Sequence, residues 1–285
     1  MNNMNKKETQ LILNQLGVRP NKKLGQNFLL NKSIVLKVIS ESNILDDEVI
    51  LEIGPGLGAL TEELVKLRNK IYSFEIDSKL FQYLADKFTE NENLELINKD
   101  ILKAEIPPHD IVISNIPYSI TGPIFEKVFY KERSPRGVLI IENSLAERIF
   151  SKNTYRTFSR ITVSFNAFME PIKKHKISRF NFIPTPKIEL ALVLVKPREN
   201  IDQFLLVERQ RRFFLRFVAG IMPYKNKNLV NAVNLFLKQE EIKDFLKADI
   251  HDLIKNTKFS NQKIAQFEVD EIIELSKSIY AFIYG

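Results

Sequence analysis

Apolar positions along this chain follow one period in the first two thirds and another in the last third. Short apolar runs at Val49–Ile53, Ile71–Ile76, Leu94–Ile97, Ile111–Ser114, Gly137–Ile141, Ile161–Phe168 and Leu190–Val195 predict strands. Between the first five, helical spacing recurs over Ala59–Leu67, Lys79–Phe88, a short turn after Asp100, and Thr121–Tyr130. Strand and helix alternating through short connections predict an α/β fold with a doubly wound, mostly parallel sheet. Upstream, residues 1–17 predict a short helix with Leu11, Ile12 and Leu16 on one face, stopped by Gly17. Lys22–Leu29 is polar and glycine-broken and predicts a loop, with Gln26 and Asn27 available to a ligand's polar edges. A helix follows from Asn31 or Lys32 to Ser42, with Ile34, Val35, Val38 and Ile39 at helical spacing. After Pro197 the alternation ends, and Asp202–Met222, Asn228–Lys238, Ile242–Ile254 and Val269–Ile283 all predict helices. The expected division is an α/β domain over residues 1–200 and a small all-helical domain over 201–285.

The chain is organised around Val49-Ile50-Leu51-Glu52-Ile53-Gly54-Pro55-Gly56-Leu57-Gly58, a strand running into a glycine-rich turn ahead of a helix. Glycine permits such a turn, and a close backbone approach to a ligand, because it has no Cβ. The ligand is expected against the N–H groups at the helix start. The pattern fits a dinucleotide fingerprint, and Glu75 lies about 20 residues on, where a ribose hydroxyl would be bound. By itself this allows NAD or S-adenosylmethionine (SAM). Glu52, just before the first glycine, suits the cationic amino end of SAM and would repel a pyrophosphate. Ligands of such sheets bind beyond the carboxyl ends of the strands. Glu52 with Gly54, Glu75, Asp100 and Asn115 lie at or just after four such ends and make one polar rim. Singly each could be a cap or a loop residue, Asp100 most of all.

Asn115-Ile116-Pro117-Tyr118 has a use in methyl transfer and none in hydride transfer. An exocyclic amine on a base is a poor nucleophile because its lone pair is conjugated into the ring. Acceptors that draw its N–H groups out of plane restore that lone pair. The Asn115 side-chain oxygen and the Ile116 carbonyl are two such acceptors, and Pro117 biases Ile116 towards an extended backbone. Tyr118 offers a ring face for stacking. A second aromatic segment, Phe180-Asn181-Phe182-Ile183-Pro184-Thr185-Pro186, is kept extended by its prolines; Phe182 either closes over a flipped base or packs as core.

Charge adds a partner. The 285 residues carry a net charge of +7 and include no cysteine, which excludes disulfides, thiolate metal sites and thiol nucleophiles. No Asp or Glu occurs in residues 9–40, 148–169, 171–188 or 209–238, and each stretch carries Lys or Arg. Four separate acid-free stretches point to a phosphate-facing surface. Arg209, Arg211, Arg212 and Arg216 are the expected phosphate contacts. No apolar run is long enough for a membrane helix, and the polar start lacks the apolar core of a signal peptide. No metal site, a cytoplasmic location and a monomeric state are expected.

Together these residues resemble the ribosomal RNA adenine dimethyltransferase family: small-subunit dimethyladenosine transferases and their antibiotic-resistance relatives acting on large-subunit RNA. Residues 23–29, Glu52–Gly58, Asn115–Tyr118 and Phe182–Pro186 look like four motifs of that family in its order. The resemblance implies a seven-stranded methyltransferase sheet with a helical C-terminal domain. It implies SAM contacts from Asn27, Leu29, Gly54, Glu75, Asp100 and Asn115, with Glu52, Gly56, Gly58, Ile76 and Ile101 beside them. It further implies a pre-30S-type particle as partner and dimethylation of two adjacent adenines in a hairpin near the 3′ end of small-subunit rRNA. The basic stretch Arg209–Lys238, with Pro223–Leu229 inside it, looks more like the small-subunit branch. Two departures lie on the RNA side: Leu190 where the family commonly has Ser, and no Gly across Tyr155–Arg160. The alternatives are the 23S branch, an NAD-dependent oxidoreductase, and a non-catalytic RNA-binding relative.

Overall fold

The computed structural model describes residues 6–21, 24–151, 158–240, 247–255 and 263–285. By Cα proximity the chain divides into two compact units. One comprises Met1–Ala146 with Met169–Pro197, the other Glu147–Phe168 with Arg198–Gly285.

In the first unit the chain runs α1 (Lys6–Gln15), β1 (Phe28–Leu29), α2 (Lys32–Ser42), β2 (Ile50–Ile53), α3 (Thr61–Leu64), β3 (Ile71–Phe74), α4 (Ser78–Lys87), β4 (Leu94–Ile97) and β5 (Ile111–Asn115). Then come α5 (Thr121–Ile124), which continues as a π-helical turn over Phe125–Phe129, and β6 (Arg136–Glu142). α6 (Asn143–Ile149) straddles the unit boundary, and α7 (Arg160–Asn166) belongs to the second unit. The first unit closes with β7 (Met169–Ile177), β8 (Phe182–Ile183) and β9 (Leu190–Pro197).

Seven strands form one sheet in the order β4-β3-β2-β5-β6-β9-β7. Neighbours from β4 to β6 are parallel, while β9 is antiparallel to both β6 and β7. The chain order reverses between β2 and β5, which is where an open α/β sheet opens a crevice for ligands. Both faces are covered, which is why the central strands are mostly apolar, with Glu52, Ser73 and Ser114 as buried polar exceptions. Ile50, Ile111, Ile113, Val138, Ile140 and Leu192 pack with Val35 and Val38 of α2 and with Leu60 and Leu64. On the other face a Cβ at Gly137 would stand 3.2 Å from the Phe129 ring. A two-stranded antiparallel ribbon pairs Phe28 with Ile183 and Leu29 with Phe182.

Several expectations need correction. Ile161–Phe168 is not a strand. Its β-branched alternation reads as one, yet Thr162, Val163, Ser164 and Phe165 are all buried in α7, which a Ser159–Thr162 capping box opens. The seventh strand is instead β7, missed because it is a polar edge strand, Met-Glu-Pro-Ile-Lys-Lys-His-Lys-Ile. Lys22–Leu29 does not stay a loop to its end, since Phe28 and Leu29 pair as β1. The helix expected over Ala59–Leu67 is only Thr61–Leu64. In α1 the buried positions are Thr9 and Leu13, while Leu11 is exposed. Met1–Asn5 of the expected first helix, Lys22 and Lys23, and Tyr155–Thr157 in the glycine-less stretch lie outside the described residues.

The second unit holds α7, α8 (Gln203–Leu206), α9 (Glu208–Ile221), α10 (Leu229–Gln239), α11 (Lys247–Lys255) and α12 (Val269–Tyr284). The helix expected over Asp202–Met222 breaks at Val207, whose ψ of 120° is extended. Glu147–Phe168 belongs with this unit and not with the α/β domain expected over residues 1–200. The reason is packing: Phe168 meets Phe214 of α9 edge-on at 6.5 Å, and the Arg198 N–H is donated to the Phe168 carbonyl at 2.9 Å.

Candidate active site

Glycine geometry builds the site. Gly54, Gly56 and Gly58 after β2 have φ of 66°, 61° and 83°, a region that only glycine enters without strain. A Cβ at Gly56 would stand 3.0 Å from the Phe28 ring. Gly25, not singled out by sequence, also has positive φ, and a Cβ there would press on Pro117 and on the Tyr118 backbone at 3.1–3.3 Å. The N-terminal loop therefore lies directly on the Asn115–Tyr118 segment. Gln26 secures the loop, accepting from the Asn21 N–H at 2.8 Å and donating to Asp77 at 3.1 Å. Its polar atoms are thus engaged within the protein.

These elements enclose a cleft of about 270 Å³ above β2 and β5. Asn27, Leu29, Glu52, Gly54 and Gly56 line one part, and Glu75, Ile76, Asp100, Ile101, Asn115 and Pro117 line the rest. Gly58 does not line it; a Cβ there would meet Leu84 of α4 and Phe88 just past its end, so this glycine lets the turn pack on a helix. Ile116 is fully buried, its N–H donated to the Ile140 carbonyl at 3.1 Å.

The carboxylates are unusual. Glu52 is 1% exposed and accepts from Thr61 Oγ1 at 2.8 and 3.1 Å and from Ser73 Oγ at 2.9 Å. Burial nevertheless pushes its pKa up to about 7. Glu75 accepts from the Asp77 N–H at 2.9 Å and the Gly56 N–H at 3.2 Å, and burial raises it too to about 7. Both are poised to ionise when a cation or hydroxyl donors reach them. Asp100 accepts from the Leu102 N–H at 3.0 Å, so it orders its own turn while lining the cleft. Lys127 in the π-turn, which no sequence signal marked, donates to the Leu102 and Ala104 carbonyls at 2.8 and 2.7 Å and clamps that wall.

Asn115 is the decisive side chain. Its Nδ2 donates to the Asn27 carbonyl at 3.0 Å, which fixes the amide. Its Oδ1 is buried and has no hydrogen-bond partner. A buried polar atom left unpaired costs free energy unless a ligand satisfies it. Tyr118 is partly buried against the core cluster, and its hydroxyl is also buried without a partner, which raises its pKa. Phe182 corrects an expectation: at 1% exposure in the core cluster it offers no face to a base. Its place in β8, paired with Leu29, turns it inward.

The four arginines of α9 do not act alike. Arg209, Arg212 and Arg216, at helical spacing i, i+3 and i+7, are exposed. Arg211 is half-buried and donates to the Leu205 and Leu206 carbonyls at 3.3 Å, so it caps α8 instead of facing phosphate.

A sequence profile described as "Ribosomal RNA adenine dimethylase" matches residues 17–274. The chain belongs to the ribosomal RNA adenine dimethylase family. It is 33% identical over 269 residues to "Ribosomal RNA small subunit methyltransferase A" of Thermotoga neapolitana, covering 94% of this chain and 95% of that one. The protein of that name from Borrelia garinii subsp. bavariensis is 32% identical over 277 residues, covering 95% and 92%. In fold the chain resembles a dimethyladenosine transferase from Plasmodium falciparum (TM-score 0.74, 23% identity, 88% of this chain and 98% of that one). It also resembles the 23S rRNA methyltransferase ErmE (TM-score 0.60, 22% identity, 89% and 99%). No helix among the described residues is long and apolar enough to cross a membrane. No cluster of His, Asp or Glu among them would hold a metal ion.

Proposed function

We propose that this family member transfers methyl groups from SAM to N6 of two adjacent adenines in a hairpin near the 3′ end of small-subunit rRNA. Each adenine is carried to N6,N6-dimethyl. The observation that carries the reading is the unpaired, buried Oδ1 of Asn115, an amide fixed at the switch point of the sheet by its Nδ2, which donates to the Asn27 carbonyl. The relatives named for the small subunit match over nearly their full length and favour that target over the large subunit.

The residues present fit SAM. Two buried carboxylates with pKa near 7 suit its cationic amino group, at Glu52, and its ribose hydroxyls, at Glu75. Ile76, Ile101 and Leu102 give an apolar wall for the adenine ring. Bound there, SAM supplies an electrophilic methyl group. Asn115 Oδ1 accepts one N–H of the target amine, and the Ile116 carbonyl is the proposed acceptor for the other. These acceptors pull the amine out of conjugation and stabilise the positive charge that grows on N6 as the methyl–sulfur bond breaks, the N6 proton then leaving to water. No strong base is needed, because the proton becomes acidic only after methylation. After the first transfer N6 keeps one N–H, so one acceptor still orients it for the second. The helical unit, with Arg209, Arg212 and Arg216 outward, is the proposed RNA-recognition domain, acting in the cytoplasm on a pre-30S-type particle as a monomer.

The test is transfer of labelled methyl from SAM to isolated 30S-type and 50S-type particles, followed by mass mapping. Two adjacent dimethyladenines near the small-subunit 3′ end are expected. Label confined to the large subunit would assign the chain to the other branch, and monomethyl product alone would remove the second transfer.

A further inference from the structure

Phe180 is 73% exposed, more than any other large apolar side chain among the described residues. A single exposed apolar residue needs no explanation. This one has three features that ordinary surface residues lack. Its turn is rigid: Arg179–Asn181 form one 3-10 turn in which the Asn181 N–H and Nδ2 both donate to the Ser178 carbonyl, at 3.1 and 2.8 Å. The turn is fastened to the cleft wall. Leu30 N–H donates to the Asn181 carbonyl at 2.8 Å, and Asn31 Nδ2 donates to Asn181 Oδ1 at 2.8 Å. The next residues, Phe182 and Ile183, pair with Leu29 and Phe28, which line the cleft.

The third feature is charge. The Arg179 guanidinium lies over one face of the Phe180 ring, 5.3 Å from its centroid. Its Nε is 4.0 Å from Glu189, a carboxylate also paired with Lys176 at 3.7 Å. Residues 171–188 contain no acidic residue. One ring face is therefore backed by a cation and the rest is open. An aromatic face beside a guanidinium is the arrangement that stacks an unpaired base and meets its phosphate. Phe182, two residues on, is buried and cannot do this.

We propose that Phe180 and Arg179 form a stacking platform, at the rim of the cleft, for an unpaired base flanking the target adenine. The platform grips the RNA chain beside the flipped nucleotide and takes no part in the chemistry. This rests on the RNA-adenine reading above.

The experiment measures kcat and KM for undermethylated small-subunit particles, and SAM affinity by calorimetry. The proteins are the wild type and Phe180→Ala, Phe180→Leu and Phe180→Trp. Loss of one stacked base should raise KM for the particle roughly five- to a hundredfold in Phe180→Ala and Phe180→Leu. Phe180→Trp should keep it near the wild-type value, and SAM affinity should not change in any variant. A leucine variant equal to the wild type would show an apolar contact without stacking and overturn the platform, as would an unchanged KM in the alanine variant. In either case wild-type methyl transfer leaves the functional reading standing. A wild type that transfers no methyl to these particles would overturn that reading and the platform with it.

Discussion

Glu52→Gln should stabilise this protein in a pH-dependent way while weakening its hold on SAM. Glu52 is 1% exposed, and burial lifts its pKa from 4.5 to about 7 against the hydroxyls of Thr61 and Ser73. At pH below 4.5 the carboxyl is protonated in folded and unfolded chains alike and contributes nothing. From there up to about 7 the folded state keeps a proton that the unfolded state has released, so stability falls as pH rises. Above that range both states are ionised and the folded state carries the whole cost, about 3 kcal/mol at 1.36 kcal/mol per pH unit. Glutamine cannot ionise, so this cost disappears. Its amide must face hydroxyls that then turn to accept, which costs about 1 kcal/mol at every pH. The signal is therefore the difference between two pH values. Urea unfolding at fixed ionic strength should show the variant about 2 kcal/mol more stable than the wild type near pH 8 and slightly less stable near pH 4.5. The SAM arm has the opposite sign. Binding to ionised Glu52 and Glu75 requires them to release protons, so wild-type affinity should tighten between about pH 6 and pH 8. The variant should bind SAM more weakly and with a shallower pH slope, since Glu75 alone still titrates. An equal stability difference at both pH values would refute the buried, neutral-leaning carboxyl.

Asn115→Ala should lower methyl transfer at least about a hundredfold, in line with the loss of one preorganised transition-state partner. SAM affinity should stay within tenfold by calorimetry, and near-normal turnover would remove Asn115 from the mechanism. Replacing Arg209, Arg212 and Arg216 together should flatten the salt dependence of RNA binding by up to about 0.9 log-log units per lost duplex phosphate contact. Arg211→Ala should instead lower the unfolding midpoint and leave that slope unchanged, because Arg211 caps α8. Lys127→Met should raise the SAM Kd severalfold with little change in kcat, because two carbonyls of the Asp100 turn lose their shared donor; an unchanged Kd would show that the wall holds itself.

Much of the α/β unit is determined locally and is legible in the sequence. Leu94–Ile97 is a strand with the bounds its apolar run predicts, and Asn31 caps α2 where the pattern changes. Buried parallel strands are largely apolar on both faces, and the turn after β2 takes glycines because its φ values are positive. The rim of Glu52, Gly54, Glu75, Asp100 and Asn115 was likewise legible, because chain order alone places polar residues at strand ends. What only the tertiary structure decides is set by neighbours far along the chain. α7 looks like a strand because its buried faces make it β-branched and apolar, whereas β7 does not look like one because an edge strand exposes its lysines. Phe182 and Phe180 sit in the same aromatic segment, and only the pairing of β8 with β1 turns the first into the core and leaves the second outside. Arg211 is indistinguishable from Arg212 until the end of α8 is in place beside it. Glu52 can be read as acidic from the sequence. That it shares a buried pocket with Thr61 and Ser73, and therefore titrates near 7, follows from the closeness of three segments that the linear chain keeps apart.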